Sequence, residues 1–247
     1  MPDSPSTRIA RAFPDRVEVR GRDLADDVMG RLTFTEYFFL LLTGEEPSGE
    51  QRFFLDLLLV AIAEHGLMPA NVAARMTLAA DPGSLQGAVA AGNLGAGPVV
   101  LGASEECAAL LVSGRQPLEI ARSIHEAGGR VPGFGHPVHR PVDPRAERIL
   151  ALADEHGVSG PQVGRARSLR EAVVEVWGRP LTMNVALPIA AVWLDLGLPQ
   201  AAVKAVPILA RTASLLAHLA EEREQPLGFV LAKAAEEFVS YEPPPQD

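Results

Sequence analysis

The chain has 247 residues, enough for one large domain or two modest ones around a real core. A net charge of -9 and a pI near 5.2 argue against non-specific nucleic-acid binding, which needs a basic surface. The sequence is 47% hydrophobic, yet no run approaches the roughly 20 unbroken apolar residues that span a bilayer. A single Cys107 excludes an internal disulfide framework, and the opening M-P-D-S-P-S-T-R carries no apolar signal region, so the expected location is cytoplasmic. Only Lys204 and Lys233 are lysines. Nearly all positive charge is therefore arginine, whose planar fork suits carboxylates and phosphates.

Residues 1–31 are charged and broken, with a short extended entry at 17–23. Thr33 and Glu36 form a capping box before the apolar run Tyr37–Leu42, which Gly44 and Pro47 stop. Ser48 and Gln51 repeat that signal before Phe53–Ala63, apolar on most faces and hence a buried helix. His65 and Gly66 end it, and Pro69 opens the next. A Gly/Ala segment at 83–103 reads first as tight helix packing. Helices are expected near 104–113 and 117–127.

The stretch Val131 to Arg148 reads V-P-G-F-G-H-P-V-H-R-P-V-D-P-R-A-E-R. Gly133 and Gly135 flank Phe134, so the backbone can turn sharply and approach a ligand. His136, His139 and Arg140 follow. Asp143 and Pro144 predict the N-cap and first residue of a helix that Gly157 closes. Arg145 would sit in its first turn, where free N–H groups and the helix dipole favour an anion. A cation there calls for an arriving carboxylate or phosphate. His136 and His139 have metal-like spacing, but Pro137 separates them and no further ligand cluster joins them, so no metal is expected.

A third capping box, Ser168 and Glu171, predicts a helix over 168–177. Pro188 interrupts the apolar stretch 182–196. Pro199 opens a long helix to about Arg223, bent at Pro207, and a last helix runs near 227–241 before a P-P-P-Q-D tail that looks disordered. No clean strand pairs and no repeat are visible. The expected class is all-α, with strongly apolar helices suited to burial against a twin.

The phrase P-G-F-G-H-x-V-x-x-x-x-D-P-R-A at 132–146 resembles the citrate synthase superfamily. L-L-T-G-E-E-P at 41–47, A-E-H-G at 63–66, N-V-A at 184–186 and A-R-T-A-S-L at 210–215 are similar to further family segments in the same order. The short length and the H-P-V-H variant look closest to the citryl-CoA lyase branch, related to the C-terminal part of ATP-citrate lyase. The resemblance implies a helical homodimer with a large domain (1–101 and 198–247) and a smaller one (102–197). It implies carbon–carbon bond cleavage or formation between a CoA thioester and an oxo acid such as oxaloacetate. CoA would be a substrate rather than a bound cofactor, and the partners would be that thioester and a di- or tricarboxylate. His65 and His136 would hold the oxo-acid oxygens, Arg145 and Arg211 its carboxylates, and Arg140 with Gly133, Phe134 and Gly135 the CoA.

Two family groups are replaced. Ala186 stands where the family has the Asp that deprotonates the thioester methyl, and Val100 where a His supports the enolate oxygen. Neither Ala nor Val can move a proton or donate a hydrogen bond. His139, Glu105, Glu106 and Cys107 are candidate replacements. Three readings follow: a citryl-CoA lyase-like enzyme using His65, His136 or His139 as base; a catalytically impaired homologue that binds a CoA ester or carboxylate in a regulatory role; or other CoA-ester chemistry such as decarboxylation.

Overall fold

The computed structural model describes residues 5–101 and 103–243, with side chains except those at 98–101. The Val100 side chain and most of the proline-rich tail therefore fall outside what is described. Eleven α-helices build the described chain: α1 Phe34–Thr43, α2 Gly49–Ala63, α3 Pro69–Ala80, α4 Leu85–Leu101, α5 Ala103–Val112, α6 Pro117–Glu126, α7 Pro144–Glu155, α8 Pro161–Trp177, α9 Ala186–Asp195, α10 Ala205–Glu224 and α11 Gly228–Phe238. The all-α expectation holds.

Local signals set the first helices. Thr33 accepts from the Glu36 N–H while Glu36 returns a bond to the Thr33 N–H, and Ser48 and Gln51 do the same for α2. Gly44 ends α1 in the left-handed region at φ +86°. Pro69 sits at the start of α3, where its missing N–H costs nothing.

Three expectations need correction. A three-stranded antiparallel meander, β1 Ala10–Ala12, β2 Val17–Val19 and β3 Arg22–Asp23, precedes the helices. Strands of two or three residues are too short to show alternation, and this sheet is clamped from outside, where the Arg20 guanidinium donates to the Leu41 carbonyl at the end of α1. Second, α8 begins at Pro161, so Ser168 lies mid-helix. Its cap comes from another element: Asp195, ending α9, accepts from the N–H groups of Gly160, Gln162 and Val163 at 2.8–2.9 Å. Third, Pro188 and Pro207 break nothing. Each lies in the first turn of its helix, α9 or α10, where no backbone donor is needed.

The Gly/Ala segment packs tightly, as expected. A Cβ on Gly92 of α4 would lie 2.7 Å from Leu215 of α10, and one on Gly95 would lie 3.0 Å from Ala73 of α3. Leu78, Ala88, Leu215 and Leu219 share one small core in this corner. The larger core joins Phe54 and Leu58 of α2 to Ile149, Val163, Leu187 and the fully buried Trp193. The stretch Gln200–Glu224 is long and apolar enough to cross a membrane by composition alone, but in the fold it packs on α2, α3 and α4 and carries the buried Arg211.

Candidate active site

The loop before α7 is stitched to the segment before α9. Gly135 N–H donates to the Thr182 carbonyl (2.7 Å), Asn184 N–H to the Gly133 carbonyl (2.8 Å), and the Asn184 side-chain amide to the Gly135 carbonyl (3.1 Å). Thr182 Oγ1 donates to the carbonyl of Pro141 (3.0 Å), so the histidine-bearing loop is held along its length. Gly133 is required here twice over. Its φ is +81°, and a Cβ would lie 2.7 Å from Leu187 Cβ and 2.9 Å from Cys107 Sγ. Left-handed strain and overpacking each cost about 1–3 kcal/mol, so Gly133→Ala should lower the unfolding free energy by about 2–6 kcal/mol, read as a lower denaturant midpoint at unchanged slope. An unshifted midpoint would show that the loop has slack.

Two loops far apart in sequence bring three imidazoles together. His65 Nε2 lies 3.0 Å from His139 Nε2, and the His136 ring centroid is 5.0 Å from that of His65 and 4.4 Å from that of His139. His136 Nδ1 accepts from the N–H groups of Val138 (3.1 Å) and His139 (2.8 Å). A nitrogen that accepts twice from the backbone cannot carry the ring proton, so neutral His136 presents Nε2–H. Burial and then the neighbouring His139 push its pKa below the ordinary histidine range, which keeps it neutral.

That Nε2–H lies 3.4 Å from an Nη2 of Arg145, another donor, so the two cannot satisfy each other. Arg145 is also held by Asp143: Nε donates to one carboxylate oxygen (3.0 Å) and Nη2 to the other (2.8 Å). Asp143, fully buried, caps α7 and accepts from the Val185 N–H as well. The first-turn cation thus has an internal partner two residues away, and the partner serves to aim it. Arg211 is the second cation. It is 4% exposed on α10, and its Nη1 is buried without a hydrogen-bond partner among the described residues. Burial lowers its pKa, partly offset by Glu64.

His65, His136, Arg145 and Arg211 all face one cavity of about 860 Å³, as do Gly133, Phe134 and Gly135. Ala186 and Trp177 lie on its wall too. His139 does not line it and stands behind His65. Arg140 lies with Arg179 in an adjoining hollow of about 420 Å³ that shares Gly135 and His136.

The other candidates separate by environment. Cys107 is fully buried and its thiol pKa is driven far up, first by burial, so it packs rather than reacts. Glu105 pairs with Lys204 at 2.9 Å, while Glu106 reaches the cavity. His125 packs against Trp177, and His156 against Phe53 and Glu50. The expectation that no third ligand joins His136 and His139 is overturned by His65; one ring nitrogen from each lies within 4.8 Å of the others. The donor set nevertheless fits a metal poorly, because backbone-fixed His136 turns an N–H, not a lone pair, toward its neighbours.

Glu64 was legible only as part of a motif, and it organises the wall. Its Oε1 accepts from the N–H groups of His65 (2.8 Å) and Gly66, fixing the His65 backbone. Its Oε2 accepts from Ser214, one turn beyond Arg211, and pairs with His218 at 3.0 Å. Burial alone would raise its pKa; the Ser214 bond and the two backbone donors outweigh it and hold it low. Behind lies buried Arg75, bonded to His218 and, at 2.9 Å, to Glu222.

The family description "Citrate synthase, C-terminal domain" matches residues 9–228. Citrate synthase of Haloferax volcanii is 29% identical over 195 residues, covering 76% of this chain and 51% of that protein. The chain spans about half the length of the curated citrate synthases it matches. The solved structure of citryl-CoA lyase from Hydrogenobacter thermophilus superposes with a TM-score of 0.86 at 28% identity, covering 98% of this chain and 96% of that one. ATP citrate lyase of Methanosaeta concilii, solved in complex with (3S)-citryl-CoA, shares the fold at 19% identity, with a TM-score of 0.82 over all of this chain and 43% of that one.

Proposed function

Since the chain belongs to the citrate synthase family, we propose that it is a carbon–carbon lyase acting on citryl-CoA or a similar carboxylated hydroxyacyl thioester, releasing an oxo acid and an acyl-CoA. One observation carries this reading: three donor groups with hydrogen-bonding capacity to spare line a single cavity. They are His136 Nε2–H, the Arg145 guanidinium beyond the bonds it gives Asp143, and Arg211, whose buried Nη1 bonds to nothing among the described residues. A ligand with carboxylates and a hydroxyl or carbonyl oxygen supplies the missing acceptors, bidentate at the arginines and single at His136. The backbone of Gly133–Gly135 and the Arg140–Arg179 hollow flank that position and suit a CoA phosphate chain.

Ala186 lies on the cavity wall and offers no carboxylate to move a proton at a thioester methyl; cleavage then needs a base for the hydroxyl proton and a proton for the departing enolate, which water can supply. We further propose a homodimer in the cytoplasm, with residues 102–197 forming the smaller unit. Val60, Leu94, Leu216 and Phe229 are exposed apolar side chains that a twin would cover.

The test is mass-spectrometric detection of products from purified protein and citryl-CoA. Oxaloacetate and acetyl-CoA should form, and His136→Ala should slow their formation by about 10²–10³-fold, the usual cost of one oxyanion donor. Citryl-CoA recovered intact would overturn the lyase reading and leave a carboxylate- or CoA-ester-binding protein.

A further inference from the structure

We propose that His65 and His139 form a general-base dyad, in which His65 takes the hydroxyl proton at Nδ1 while its Nε2–H donates to His139 Nε2. The inference rests on the lyase reading and assigns roles within it. Two of the three imidazoles are divided by their partners. Backbone N–H groups fix His136 as a donor toward the cavity, so it cannot be the base in its neutral form. His65 lines the cavity and has Nε2 committed to His139 at 3.0 Å; no donor occupies its Nδ1 among the described residues. His139 does not reach the cavity and acts through His65, as a positioning residue.

The charges around His65 favour this tautomer. Arg145 and its partner Asp143 face it from the start of α7, Arg211 from α10, and His136 and His139 from the loop. The neighbouring Glu64 carboxylate is turned onto the backbone N–H groups of His65 and Gly66. Two guanidiniums on the cavity side attract a lone pair and repel an N–H, so the proton belongs on the nitrogen facing His139. Burial, then Arg145 and His139, lower the His65 pKa, which keeps it unprotonated before substrate arrives. Substrate carboxylates then neutralise the arginines and restore its basicity.

The step balances with water alone. The substrate O–H bond breaks and its proton passes to His65 Nδ1. The oxygen lone pair forms the new C=O, held by His136 Nε2–H, as the adjacent carbon–carbon bond breaks and its electron pair moves onto the thioester enolate. The enolate carbon takes a proton from water, and the hydroxide so formed is neutralised by the proton on the dyad.

Histidine ring 15N spectra of the free protein, assigned with a His65→Gln sample, provide the decisive measurement. His65 should show a protonated Nε2 and a bare Nδ1, and His139→Leu should collapse that preference to a tautomer mixture. A His65 protonated at Nδ1 in the wild type would overturn the dyad. With citryl-CoA, His139→Gln, which still accepts from His65 but cannot take a proton, should reduce kcat about tenfold with KM within twofold. Removal of the His139 ring raises the His65 pKa, so the acid limb of the pH–rate profile should move to higher pH; an unmoved limb would leave His139 a structural residue only. The expected tautomers without any turnover would instead sink the lyase reading and leave the geometry standing.

Discussion

Arg211→Met should bind carboxylate ligands about 10²–10⁴-fold more weakly while folding as well as the wild type or better. Two charge-assisted hydrogen bonds contribute about 1.5–3 kcal/mol each, and 1.4 kcal/mol is tenfold in affinity. The stability side follows from burial. Arg211 is 4% exposed with a buried Nη1 that bonds to nothing among the described residues, and its pKa is lowered chiefly by that burial. A buried cation without a full set of partners is held at a cost, and an apolar side chain of similar length is often neutral or stabilising by about 1–4 kcal/mol. Calorimetric binding of citrate, read beside a thermal melt, separates the two effects. A variant that melts lower and binds as before would place Arg211 among the structural residues.

Asp143→Asn should be the converse case, a site residue whose loss destabilises the protein. Its carboxylate receives the α7 N-terminus, the Val185 N–H and both arms of Arg145, all without exposure to water. Asn keeps one acceptor but leaves Arg145 uncompensated, which should cost about 3 kcal/mol at neutral pH, the low end for breaking a buried pair. The pH dependence has a definite sign. Burial would raise the Asp143 pKa, but the Arg145 pair outweighs it and depresses the folded-state value. Its contribution is therefore complete above the unfolded carboxyl pKa of about 4 and is lost as pH falls through the folded value. The stability gap between wild type and variant should narrow only in that acid range. A gap constant from pH 7 to strong acid would mean that the charge of Asp143 does not matter.

Much of the fold was legible because its signals are local. The Thr33/Glu36 and Ser48/Gln51 boxes span three residues and formed as read. The start of α8 was not legible, because its cap is Asp195, 32 to 35 residues away, while Ser168 and Glu171 imitate a cap inside the helix. Pro188 and Pro207 were misread for a related reason: proline marks a helix start as readily as a break, and only the position of the first turn decides. In the site, the loop residues Gly133, Gly135 and His136 announced themselves by turn chemistry, but the approach of His65, 74 residues before His139, was visible only through family likeness. The Asp143–Arg145 pair is a local signal as well: a cap's carboxylate and a side chain two positions later lie on the same helix end.

The two tryptophans divide the molecule into separately readable halves. Trp193 is sealed in the larger core, its indole N–H donating to the Pro199 carbonyl at 2.8 Å, and it senses only whether that core is intact. Trp177, packed against His125, looks into the ligand cavity. The emission of one indole is thus a gauge of occupancy and that of the other a gauge of folding. A single-tryptophan pair of variants converts the chain into its own binding and melting assay, with no label introduced near the histidines.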